Sequence, residues 1–261
     1  MRDLAVLIPV YNDQADLELT LSSIDEDNTN FTVYIIDDGS KRPIYLDYMN
    51  YKFRIMIRRL EKNSGITRAL NYGIEIIKKD GFRFIARLDA GDLQEKNRLC
   101  SQYKKMNHDD TLYLLGSNVI FYDHNGNLLY RTSLPLEYEN IKSKFFYKSC
   151  FIHPAVMMRT SLFDFEESYS TDFPAAEDYE LFLRIARKYK SENIPDILIR
   201  CNDRVNGISL TKRNTQIRSV LKALKRHNSV FKIQWWFGVF KVIFQLYMPR
   251  KYFNLIKAKL S

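Results

Sequence analysis

Apolar residues in this chain come in short runs that stop abruptly at polar clusters. Residues 4–10 read LAVLIPV, an unbroken apolar run of the kind found in strands covered on both faces, and it stops at Tyr11, Asn12 and Asp13. Leu17, Leu21 and Ile24 then recur at helical spacing, with Asp13 placed to cap that helix. Residues 31–36 form the next predicted strand and end in Asp37, Asp38, Gly39 and Ser40. A shorter strand at 53–57 leads to Ser64, which is placed to cap a helix carrying Ile66, Leu70, Ile74 and Ile77. Residues 82–88 form a further buried strand, halted by Asp89, Ala90, Gly91 and Asp92. Strand and helix therefore alternate over the first ninety or so residues, with polar clusters after successive strands. That predicts an α/β fold with a parallel, Rossmann-like nucleotide-binding half.

The second half breaks the alternation. A helix at 93–106 is followed by a strand at 112–122, an Asn125-Gly126 hairpin signal and a returning strand at 128–133. A mixed sheet is expected there. A helix at 137–147, a loop-like stretch at 171–177, a helix opened by Glu177 and Asp178, and a last strand at 194–201 complete the body.

The chain has 261 residues, 46% of them hydrophobic, enough for one large domain or a domain with a tail. Residues 1–3 lead straight into a strand too short for a signal-peptide core. The three cysteines are scattered, with no CxxC, which fits a reducing compartment and argues against a cysteine zinc site. Charge changes the picture more. From Arg204 onward there are 13 Lys or Arg and no Asp or Glu, which leaves 27 basic and 31 acidic residues before it. A mildly acidic body, net −4, thus carries a purely basic tail, and such tails seek polyanions.

No GxGxxG follows the first strand and no P-loop occurs. A nucleotide would have to be held by carboxylates, with a metal on its phosphates. Tyr11 can stack on a base, and Asp13 and Asp37 can accept hydrogen bonds from base or ribose. Asp89 and Asp92, at the end of the strand 82–88, are hard oxygen ligands suited to Mg²⁺ or Mn²⁺ on a diphosphate. Taken singly, each cluster is equally compatible with a turn or a helix cap.

The segments VLIPVYND (6–13), YIIDDGS (34–40), NSGITRALNYGI (63–74), IARLDAGD (85–92), HPAVMMR (153–159) and AAEDYELFLRIA (175–186) occur in order. Together, over about residues 3–200, they resemble the inverting family 2 glycosyltransferases of the GT-A fold. The resemblance implies a Rossmann-like nucleotide half joined to a mixed-sheet acceptor half. It also implies transfer of a sugar from a nucleotide-diphospho-sugar donor to a saccharide or lipid-linked acceptor, with a divalent cation on the diphosphate. Pro9, Tyr11, Asp13, Asp37, Asp38, Arg68 and Asp89 would bind the donor, with Asp37 at the base. UDP or dTDP is favoured over GDP, because a buried carboxylate accepts an imide N–H. The commoner family form has an acid where this chain has Gly91, so the metal falls to Asp89, Asp92 or water. Asp178 matches the catalytic base, while Glu177 and His153 are placed near acceptor, sugar or phosphates.

In the tail, Gln234, Gly238, Lys241 and Gln245 form a narrow polar stripe among Trp235, Trp236, Phe237, Phe240 and their apolar neighbours. With Arg250, Lys251, Lys257 and Lys259 after Pro249, this predicts an interfacial helix on an anionic membrane; a helix packed on the core or on another subunit is the alternative. The expected organisation is a GT-A domain at 1–203 and a helical basic region at 204–261. The expected setting is the cytoplasm, peripheral on the inner membrane face, in surface polysaccharide or glycolipid assembly. A sugar nucleotidyltransferase is a rival, but PVYNDQAD lacks its Gly- and basic-rich loop. A nucleic-acid-binding module is another; no binding motif supports it, and no nucleic-acid partner is expected.

Overall fold

The structure, a computed structural model, describes residues 1–123, 125–202 and 212–247. Four parallel strands form one half of its sheet: β1 (Leu4–Val10), β2 (Thr32–Asp37), β3 (Arg54–Arg59) and β4 (Phe84–Arg87), in the order β3-β2-β1-β4. The helices between them are α1 (Gln14–Ser22) and α2 (Ile66–Lys79). β1 shows why its run is apolar throughout. Leu4, Val6 and Ile8 enter one core cluster and Ala5 and Leu7 the other, so each face of the strand meets a helix layer. Replacing a buried residue such as Leu7 by Ala would cost about 2–5 kcal/mol.

Strand order runs outward in both directions from β1, and ligands of open α/β sheets bind at such a switch point. Pairing of β1 with β4 ends at Leu7 and Arg87, so Pro9, which has no N–H to give, stands beyond the last β4 partner.

The second half is mixed. β4 continues into β8 (Met157–Arg159), antiparallel, then β6 (Leu112–Tyr122), β9 (Lys190–Asn202) and β5 (Leu93–Gln94), with β7 (Leu128–Arg131) folded back on β6. β6 and β9 run parallel. α3 (Arg98–His108), α4 (Tyr138–Lys144) and α5 (Glu177–Lys188) cover the sheet. The helix expected from residue 93 begins only at Arg98. Leu93 and Gln94 are drawn into the ladder by Arg200 and Ile199 of β9, and Glu26 supplies the helix start by accepting from the N–H groups of Leu99 and Cys100. Two expected caps also differ. Asp13 holds the N-cap position of α1 with no capping side-chain bond, and Gly65, not Ser64, is the N-cap of α2.

The basic C-terminal region contains α6 (Arg213–Arg226) and α7 (Ile233–Tyr247). Ile217, Leu224, Trp235, Val239 and Val242 from these helices join the cluster formed by α4 and α5. His227 and Glu180 add a 2.7 Å contact, and Arg187 donates to the His227 carbonyl. The expected boundary at 203/204 and the four cations after Pro249 lie outside the described residues. Part of the polar stripe of α7 meets the protein body: Gly238 is buried, while Lys241 stays exposed. A Cβ on Gly238 would lie 2.0 Å from the Phe146 carbonyl oxygen, and Lys241 donates to the carbonyl of Tyr147. Gly238 is a close-packing site for the neighbouring backbone, and only its small size makes it look polar in the sequence.

Candidate active site

β2 ends in two adjacent acids with different surroundings. Asp38 accepts from the N–H groups of Ser64 and Gly65, each at 2.8 Å, and so fixes the loop that starts α2. Asp37 is 1% exposed; its Oδ1 accepts from the Ser40 N–H at 2.8 Å. Its Oδ2 lies 3.6 Å from Arg59 Nε and has no hydrogen-bond donor among the described residues. A buried acceptor left unmet costs about 1–3 kcal/mol. The loop after β1 is tied to the same place: Asn12 N–H donates to Ser40 Oγ, and Lys41 N–H to Asn12 Oδ1. Tyr11 beside it is exposed, as is Arg68 on the first turn of α2. A cleft of about 630 Å³ opens beside the loop after β1, lined by Asn12, Asp13, Gln14, Lys41, Arg42 and Tyr45 among others; Tyr11, Asp37, Arg68, Asp89 and Asp178 do not line it.

β4 ends in a buried cation. Arg87 is fully enclosed, and its guanidinium donates to the carbonyls of Leu7 and Leu88 and to Asp89 Oδ1. Asp89 keeps about a third of its side-chain surface (33%) open beyond that contact. Gly91 sits at φ +92°, with its N–H donated to Thr20 Oγ1 at 2.7 Å. Asp92 is buried, and its Oδ1 accepts from the Asn202 N–H at the end of β9.

Glu177 and Asp178 open α5, where helix N-terminal N–H groups favour negative charge. Burial opposes that. It pushes the Glu177 carboxyl up to about 7, with the charge of Asp178 adding to the effect. Asp178 is also raised, by burial first and then by Asp89, although its Oδ1 accepts from the Tyr179 N–H at 2.7 Å. Protein surrounds Asp178 closely, yet it keeps some accessible surface. His153 Nε2 lies 2.8 Å from the Tyr169 hydroxyl. Burial, helped by the Arg87 charge, holds the imidazole down to about 3, so it is neutral. Tyr169 is clipped to α2 by the Asn71 side-chain amide, which donates to the Tyr169 carbonyl at 2.8 Å and accepts from its N–H at 2.9 Å. The charges of Arg87, Asp89, Glu177 and Asp178 all act on Tyr169, so three separate chain segments share one electrostatic neighbourhood.

Glycosyl transferase family 2 matches residues 5–165. The chain belongs to that family. AmsE of Erwinia amylovora, an amylovoran biosynthesis glycosyltransferase, is 29% identical over 236 residues, covering 85% of this chain and 86% of AmsE. WbnJ of Escherichia coli, an O-antigen biosynthesis glycosyltransferase, is 26% identical over 217 residues, 80% of this chain and 82% of WbnJ. Among solved structures, S. aureus TarS 1-349 with UDP-GlcNAc aligns at a TM-score of 0.63 and 17% identity, over 85% of this chain and 66% of that one. The mannosyltransferase PcManGT of Pyrobaculum calidifontis, with GDP-Man and Mn²⁺, aligns at 0.64 and 15% identity, over 92% and 69%. The fold is that of GT-A glycosyltransferases.

In this family 2 glycosyltransferase, Asp89, Glu177, Asp178 and His153 lie near one another at one end of the candidate site, while Pro9 and Asp37, near the ends of β1 and β2, and Tyr11, Asp13 and Asp38, on the loops that follow, lie at its other end. Asp92 and Asp38 have structural partners that explain their positions without a ligand. Sequence reasoning missed Arg87, Tyr169 and Asn71. Arg87 carries a visible signal: a cation inside an apolar strand, two residues before Asp89 and therefore on the same face. Asn71 and Tyr169 are 98 positions apart and carry none.

Proposed function

We propose that this glycosyltransferase transfers a hexose, with inversion, from a UDP- or dTDP-sugar to a hydroxyl of a saccharide or lipid-linked acceptor. The setting we propose is surface polysaccharide or glycolipid assembly at the cytoplasmic face of the membrane. The observation that carries the donor reading is the unmet Oδ2 of Asp37. A carboxylate only accepts, so it suits uracil, thymine or guanine and repels the N3 acceptor of cytosine or N1 of adenine. Guanine offers adjacent N1–H and N2–H donors that together need both carboxylate oxygens. Here one oxygen is already held by Ser40, and a single imide N–H is the better match. Arg59 beside it suits the carbonyl that flanks that N–H. The biosynthetic roles in the names of AmsE and WbnJ, and the donor held by TarS, support the setting and the nucleotide.

In the transfer, the acceptor oxygen attacks the anomeric carbon opposite the diphosphate. Asp178 takes the hydroxyl proton, the C1–O bond to the β-phosphate breaks, and the nucleoside diphosphate leaves with that electron pair. Glu177, protonated near neutral pH, donates a hydrogen bond to sugar or acceptor while its neighbour acts as base. Arg87 holds Asp89 in one orientation.

The donor set for a divalent cation is small but sufficient. Asp89 offers a carboxylate, and Mg²⁺ or Mn²⁺ needs only one or two when phosphates and water fill the remaining positions. Asp92 is committed to Asn202, and Gly91 has no side chain to offer. When bound, the ion would neutralise the diphosphate and stabilise it as a leaving group.

Thermal melts with UDP, dTDP, GDP, CDP and ADP, with Mn²⁺ or EDTA, test the donor reading. UDP or dTDP should raise Tm in the presence of Mn²⁺, CDP and ADP should not, and EDTA should abolish most of the shift. A shift with CDP equal to that with UDP defeats the role given to Asp37. The anomeric configuration of the product, read by NMR, decides inversion.

A further inference from the structure

We propose that the outward face of α7, formed by Ile233, Trp236, Phe237, Phe240, Phe244 and Tyr247, is a docking surface for an anionic lipid bilayer. The inference extends the membrane setting of the proposed function but does not depend on the donor or on the transfer chemistry.

The inner face of α7 is fully used. Trp235, Gly238, Val239 and Val242 are buried, and the Trp235 indole N–H donates to the Leu224 carbonyl. The opposite face repeats at intervals of three and four along the whole helix, and it is bare. Phe237, Phe240 and Phe244 are each about 60% exposed, at 60%, 63% and 61%. Phe231, just before the helix, is wholly exposed. Six large apolar side chains aligned over 15 residues, about 22 Å of helix, are more than the scattered exposure usual on a soluble surface. No described helix is long and apolar enough to cross a membrane, so a bilayer would receive this face lengthwise.

Charge selects the occupant. Lys232 borders one end of α7, and Arg250 and Lys251 follow the other in sequence. Arg218, Lys225 and Lys232 are exposed and form no ion pair among the described residues. A two-fold dimer through this face would set the same surface against itself, and a region with 13 basic and no acidic residues would bring like charges together. An anionic leaflet supplies the missing negative charge, and the aromatic rings suit the headgroup zone. On the inner side the protein body takes the place that water holds beside a free amphipathic helix.

The test uses the full chain and vesicles of phosphatidylcholine with or without about 30% phosphatidylglycerol, an anionic content chosen to give a clear surface potential. Binding should be at least roughly tenfold tighter with phosphatidylglycerol at about 0.1 M salt and weaken, without vanishing, at about 1 M. The triple variant Phe237→Ser/Phe240→Ser/Phe244→Ser should bind at least roughly tenfold more weakly while keeping the UDP-induced melting shift. Where that variant does not fold, brominated lipid should quench the wild-type tryptophan emission, and Trp236→Phe should remove most of the quenching because Trp235 is buried. Wild-type protein left in the supernatant with anionic vesicles at low salt overturns the proposal. A wild-type dimer that the triple variant splits, with no vesicle binding, also overturns it and assigns the face to a second copy. Vesicle binding without any nucleotide-induced shift leaves docking standing and counts against the donor reading alone.

Discussion

The molecule carries two pairs of adjacent acids, one at each end of its site, and they behave differently. At the proposed nucleotide end, backbone N–H groups meet both oxygens of Asp38 and one of Asp37. At the proposed transfer end, the same kind of burial meets fewer donors, and the carboxyl of Glu177 moves up to about 7. Burial alone does not decide what an acid does; the local supply of N–H donors does. A well-supplied pair can serve as a fixed acceptor, and a poorly supplied pair can trade protons.

The largest effect should come from removing the proposed proton acceptor. Asp178→Asn should lower kcat by roughly a hundredfold or more while leaving UDP affinity little changed, measured by steady-state kinetics and calorimetry. Near-normal turnover would place the base elsewhere and erase the contrast between the two pairs.

Glu177→Gln sharpens the contrast through stability. An unfolded Glu releases its proton near 4.5, whereas the folded protein keeps it to about 7. The native state therefore binds more protons across that window, and stability falls as pH rises through it. Gln cannot ionise. The variant should match wild type near pH 5 and exceed it above pH 7, by up to about 3 kcal/mol, in denaturant titrations. An equal difference at both pH values would mean that the acid is not held neutral.

At the other end, Asp38→Ala should destabilise the fold by about 1–3 kcal/mol, because two loop N–H groups lose their acceptor. Asp37→Asn should leave stability nearly unchanged but reverse base preference. Its amide can turn an N–H toward the ligand, so affinity for UDP should drop roughly tenfold or more and that for CDP should rise, as read by calorimetry. Equal loss of both nucleotides would reduce Asp37 to a loop support like its neighbour.

Much of this arrangement is legible in the chain. The parallel half shows because its central strands, buried on both faces, end sharply at polar clusters, with Asp37 and Asp89 at two of those ends, and the Glu177–Asp178 pair shows as the acidic start of a helix. Other features were hidden for physical reasons. Leu93 and Gln94 form a strand only because β9 lies beside them, and no two-residue segment carries that information. Arg87 reads as a flaw in an apolar run until its carbonyl acceptors are visible. The orientation of α7 misleads by polarity alone, since Gly238 and Lys241 meet the backbone carbonyls of Phe146 and Tyr147.

The position of β9 between β6 and β5 also orders how the molecule is made. Residues 4–87 contain everything needed to pair β3, β2, β1 and β4, so a nascent chain can assemble that half early. The long edge of β6 cannot close until residues 190–202 emerge from the ribosome, and the Asp92 carboxylate waits for Asn202 at the far end of the same strand. Until then the growing polypeptide carries an unpaired, apolar strand edge, the feature most prone to association with other chains. Translational pausing or truncation within residues 123–188 should therefore yield insoluble product, whereas pausing after residue 202 should not.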